Sequence, residues 1–87
     1  MHEWGITEEV IKEILKQAKE NGLEKIDKVC LSIGEDSGIT ADSLEFCFQN
    51  LSKGTILETI KLKLDKCKGR GVVIKSIEGQ KWELSRP

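Results

Sequence analysis

Val10, Ile11, Ile14, Leu15 and Ala18 recur at intervals of three and four, the spacing that lines one face of an α-helix. Thr7 is placed to cap that helix, with Glu8 and Glu9 following where carboxylates meet the positive end of the helix dipole. Asn21-Gly22 supplies a left-handed stop. A start one turn earlier, nearer Trp4, is also open to the pattern. It matters, because it decides whether the opening "MHEW" hangs free or is held at a helix terminus.

The period then changes. In "KIDKVCLSIG", Val29, Leu31 and Ile33 alternate with Lys28, Cys30 and Ser32, as in a strand with one buried face. After the loop "GEDSG", Thr40 can cap a second helix whose apolar stripe is Leu44, Cys47, Phe48 and Leu51, ending before Gly54. Cys47 is thereby expected in the core. "TIKLKLD" alternates Ile60, Leu62 and Leu64 with Lys61, Lys63 and Asp65, and a last strand runs from Val72 to Glu78. Only "KCKGRG" separates these two, and a short glycine-containing link predicts an antiparallel hairpin.

Helix, strand, helix, strand, strand is an α+β order, with both helices packed on one face of a small three-stranded mixed sheet. The strand–helix–strand unit leaves open whether its strands pair directly or in parallel. The tail "GQKWELSRP" is expected either to extend the sheet briefly or to stay mobile, and Trp82 and Leu84 are its apolar residues.

Length and charge narrow the classes. Eighty-seven residues make one domain with a core of moderate size. The net charge of −1 draws the chain toward neither nucleic acid nor membrane. Charge is unevenly spread, however: residues 53–87 hold nine Lys/Arg against four Asp/Glu. That basic third reads as a solvated strand face or as a docking surface for an acidic partner. Nucleic-acid binding is disfavoured, since exposed aromatics for stacking are lacking and the rest of the chain is acidic. No stretch approaches a membrane span, residues 1–24 are too charged for a signal peptide, and a cytosolic protein is expected.

Cys30, Cys47 and Cys67 are an odd set without a Cys-x-x-Cys pair. Together with His2, they lack the close spacing of a local zinc motif, so no structural zinc is expected and the thiols read as reduced. One histidine, no Ser/His/Asp set and no phosphate-binding glycine loop argue against an enzyme. Lys68-Gly69-Arg70-Gly71 is most simply a turn.

The amino terminus carries more chemistry. A free α-amine, backbone amides and the His2 imidazole can converge on one cation, and such nitrogen donors suit square-planar Ni(II) or Cu(II). The amine of Met1 must lose its proton to bind, so affinity should fall in acid. Glu3 can add an oxygen donor or orient another ligand. By spacing alone, a histidine at position two is weak evidence, and a solvated terminus is the plainer reading.

The whole sequence resembles the HypA/HybF family of hydrogenase-maturation nickel chaperones. The likeness runs from Met1-His2-Glu3 through "VCLSIGEDSGIT" and "SLEFCFQNL" to "KGTILETIKLKL" and "KGRGVVIKSIE", and "MHEW" is similar to archaeal members in particular. This resemblance implies a nickel site at Met1, His2 and Glu3 on a domain of two helices and a three-stranded sheet. It further implies delivery of Ni(II) to the large subunit of a nickel-iron hydrogenase with the help of a maturation GTPase, and in some organisms service to urease.

One departure stands out. Near residues 65–71, where the family inserts a zinc domain with two Cys-x-x-Cys pairs, this chain has only "KCKGRG". A single nickel-binding domain over residues 1–87 is the expectation, with Cys67 as a relic. If the two flanking strands are neighbours, a hairpin closes the gap without disturbing the core. Natural loss and deletion of the module are both open. The competing reading is a metal-free adaptor that keeps a GTPase-binding face on the first helix, built from Glu8, Glu9, Lys12 and Glu13.

Overall fold

The computed structural model describes residues 2–81, and for His2 the backbone alone. Its elements follow the expected order: α1 (His2–Glu20), β1 (Leu23–Gly34), α2 (Ala41–Leu51), β2 (Lys61–Cys67) and β3 (Val72–Lys81).

Helix α1 buries Val10, Ile11, Ile14 and Ala18, the stripe expected of it. It ends at Asn21-Gly22, where Gly22 adopts a φ of 70° and its N–H donates to Lys19 O at 3.1 Å. The start lies upstream of the expected cap. Thr7 sits inside the helix, fully buried, and its hydroxyl donates back to Glu3 O at 2.6 Å. A threonine hydroxyl can cap a helix from outside or bond to the carbonyl four residues earlier from inside. Here packing favours the second: Ile6 lies against the core and Trp4 against the second helix, so the turn before Thr7 is held by tertiary contacts.

Thr40 does cap α2. Its side chain accepts from Ser43 N at 3.1 Å, and the stripe behind it buries Leu44, Cys47 and Phe48. In the loop that follows, Leu57 turns wholly into the core, a contribution no periodic pattern announces.

The sheet has the order β2-β1-β3. Strand β1 pairs in parallel with β2 (Val29 opposite Leu62, Leu31 opposite Leu64) and antiparallel with β3 (Val29 opposite Ile77, Ile33 opposite Val72). The unit β1-α2-β2 thus settles as a direct parallel pair. Val29, Leu31 and Ile33 meet Ile14, Leu44 and Phe48 in one apolar cluster, leaving the opposite sheet face open. A register shift between Ile26 and Lys28 changes the alternation, which is how Ile26 and Val29 both reach the interior.

The expected hairpin between β2 and β3 does not form. These strands lie at opposite edges, with β1 between them. The most apolar strand buries its residues best in the centre, and residues 68–71 need cross only two strand spacings, about 10 Å, to join the edges. They pass over the end of β1. Gly34 N–H donates to Gly71 O (2.7 Å), Glu35 N–H to Cys67 O (2.8 Å) and Asp36 N–H to Gly69 O (2.8 Å). A Cβ on Gly34 would stand 2.8 Å from Gly71 O and closer still to Gly69 O, so only glycine admits the crossing.

Candidate functional site

Of the three expected ligand residues, Met1 and the His2 side chain lie outside the described residues. Glu3 belongs to the first turn of α1 and is half-buried. By the hydrogen-bond pattern of an α-helix, the first four N–H groups have no intrahelical acceptor. The backbone amides of His2 and Glu3 are therefore among the donors that the helix does not use. The same terminus carries the positive end of the helix dipole, which favours carboxylates and deprotonated nitrogen.

That turn is held from two sides. Thr7 bonds to the carbonyl of Glu3, and the ring of Trp4 meets Phe46 of α2 edge to face, with centroids 6.2 Å apart and planes at 73°. Phe46 was no part of the expected apolar stripe, which runs through Leu44, Cys47, Phe48 and Leu51. A large aromatic off the stripe of its own helix is the signal that marks it.

The exposed acids and base of α1 fall beside a groove. Glu9, Lys12 and Glu13 line it on one side, Val72 and Ile74 of β3 on the other, with Ile6 and Val10 at its floor and a volume of about 1050 Å³. Glu8 is exposed on the same helix.

On the open sheet face, Ser32 donates to Asp65 Oδ1, and Lys75 Nζ lies 3.2 Å from Asp65 Oδ2. The Ser32 hydrogen bond, and after it the hydrogen bond and charge of Lys75, hold the Asp65 carboxyl below the usual carboxylate range, against a smaller opposing effect of burial. Lys63 adds a little in the same direction. Each carboxylate oxygen accepts from a different strand, an arrangement that ties three strands together.

The cysteines do not converge. Cys47 is buried in the core, whereas Cys30 and Cys67 are partly exposed, Cys30 opposite Lys63 and Cys67 opposite Gly34. Among the described residues, no group of three or more His, Cys, Asp or Glu side chains is gathered to hold a metal ion. No helix among the described residues is long and apolar enough to cross a membrane.

Comparison with known proteins fits this architecture. The family model described as "Hydrogenase/urease nickel incorporation, metallochaperone, hypA" matches residues 1–78. Hydrogenase maturation factor HypA of Rippkaea orientalis is 44% identical over 71 residues, covering 82% of this chain and 60% of the relative. The protein of the same name from Geobacter sulfurreducens is 41% identical over 71 residues, covering 82% and 62%. The chain thus spans about three fifths of the length of these curated relatives. Among solved structures, the nickel metallochaperone HypA from Helicobacter pylori superposes with a TM-score of 0.74 at 16% identity, over 92% of this chain and 98% of that one. Another HypA solution structure gives 0.62 at 19% identity, over 91% and 92%. At such identities the two structures speak for the fold, and the family model for the sequence. The chain belongs to the HypA family of nickel-incorporation metallochaperones.

Proposed function

We propose that this chain is a nickel carrier for the maturation of nickel-iron hydrogenase, taking Ni(II) at its amino terminus and passing it on with a maturation GTPase to the hydrogenase large subunit. The donors would be the α-amine of Met1, backbone amide nitrogen of His2 and Glu3, and the His2 imidazole, with the Glu3 carboxylate as an oxygen donor or an orienting group. One observation carries the reading: α1 begins at His2, so the amides beside the α-amine have no helical hydrogen bond to lose when they give up their protons. Once deprotonated they are anions, which the helix dipole favours there. The family description names urease beside hydrogenase, and urease is a second recipient class for the same cargo.

Such a carrier works in the cytosol as one nickel-binding domain, with the crossing at residues 68–71 standing where the family inserts its zinc module. Cys67 is then a relic, and Ni(II) is the metal carried. No catalytic step is assigned to it.

A Ni(II) titration of untagged protein, followed by calorimetry and visible absorbance, tests the site. The expected result is a roughly one-to-one, yellow, low-spin complex that weakens in acid, as the α-amine with its ordinary pKa of about 7.7–8.0 is protonated. It is lost in His2→Ala and on adding a residue before Met1. Equal binding by His2→Ala would reject the site.

The groove beside Glu9, Lys12 and Glu13 supports a second reading, an adaptor that engages the GTPase without metal. Undiminished capture of the GTPase by His2→Ala, with no response to nickel, would favour it.

A further inference from the structure

We propose that Phe46 is a positioning residue for the amino-terminal nickel site: from α2 it braces Trp4 and keeps the first turn of α1 helical. The inference rests on the nickel reading above, and adds to it a residue more than forty positions away in sequence.

Phe46 is 61% exposed, so burial in the core does not account for it. Its aromatic neighbour is Trp4, met edge to face at 6.2 Å, a geometry attractive beyond the area it covers. Trp4 directly follows Glu3. The buried body of α1 begins only at Thr7 and Val10. Between the two stands Gly5, among the poorest helix formers, with no atom within 4 Å of where a Cβ would project. Gly5 is thus a weak point that separates the ligand-bearing turn from the anchored helix, and Phe46 grips the chain on the far side of it. A terminus free to fray must be ordered when metal binds, which lowers affinity. The Trp4–Phe46 contact adds to the Thr7–Glu3 hydrogen bond in providing that order beforehand.

The experiment compares wild type, Phe46→Ala, Phe46→Tyr, the double variant Phe46→Ala/Gly5→Ala and His2→Ala, all untagged. Amide hydrogen exchange is measured without nickel, and Ni(II) titrations are followed by calorimetry and absorbance. In Phe46→Ala, the amides of Ile6 to Glu9, which bond to the carbonyls of the first turn, should exchange faster while those of Ile11 to Ala18 keep wild-type rates. The nickel dissociation constant should rise roughly three- to tenfold, as expected for loss of one aromatic pair, with the absorbance band unmoved. Phe46→Tyr should match wild type. Gly5→Ala should restore protection and affinity to Phe46→Ala, because it strengthens the weak point directly. Wild-type affinity in Phe46→Ala overturns the proposal. So does weaker binding accompanied by faster exchange throughout α1, which would mark general loss of stability. Equal nickel binding by wild type and His2→Ala would remove the nickel site itself, and is read from a different pair of proteins.

Discussion

Ser32 on β1 donates its hydroxyl hydrogen to the carboxylate of Asp65, its partner across the parallel β1–β2 pair. Lys75 reaches the other carboxylate oxygen from β3, on the far side of β1. One acidic group therefore ties all three strands on the open face. Its pKa is depressed in the folded protein, so its contribution is present above the unfolded carboxylate value and disappears as pH falls through the lower folded value. Asp65→Asn should melt below wild type at pH 7, with the gap closing below about pH 4. Because Asp65 and Lys75 are both well exposed, the effect is modest and salt should shrink the Lys75 share. Thermal melts across pH at two salt concentrations check this, and parallel profiles for the two proteins would refute it.

Gly34 is where the link between β2 and β3 crosses the end of β1. Gly34→Ala forces a methyl group against the Gly69 and Gly71 carbonyls and should cost about 1–3 kcal/mol by overpacking. Gly71→Ala is the control, since a Cβ there meets nothing within 4 Å, and it should stay within about 0.5 kcal/mol of wild type. Urea unfolding of the two variants separates a steric requirement from a general liking for glycine in loops.

Two threonines that look alike in sequence should respond oppositely. Thr40 caps α2 through its exposed side chain, so Thr40→Ala should lose about 1 kcal/mol while Thr40→Asp holds its stability. Thr7 is enclosed within α1, so Thr7→Asp, an improvement at a true cap, should unfold much of the protein by burying an unpaired charge. Circular dichroism melts would show the contrast.

The three thiols should label in two classes. Cys30 and Cys67 are partly exposed, while Cys47 is enclosed beside Leu44 and Phe48. A disulfide reagent should modify two cysteines in the folded protein and the third only as it unfolds, with Cys47→Ala abolishing the slow phase. Three equal rates would contradict the packing of α2.

What sequence by itself determined here is what depends on near neighbours. Periods of three to four and of two set the apolar faces of α1, α2 and β1, because successive side chains point in directions fixed by local backbone geometry. The Thr40 cap was legible for the same reason, as was the order of the elements. Family likeness then singled out Met1, His2 and Glu3, which no periodicity could do. The tertiary structure decided everything that depends on distant partners. A short glycine link between alternating segments reads as a hairpin, yet β1 takes the place between β2 and β3, since burial of Val29, Leu31 and Ile33 outweighs the local convenience of a turn. Thr7 became an interior residue because Trp4 and Ile6 found contacts that extended α1 upstream. Leu57 in the core, the tie from Ser32 through Asp65 to Lys75, and the meeting of Trp4 with Phe46 leave no periodic trace for a similar reason: each joins residues that the chain brings together only after its elements have packed.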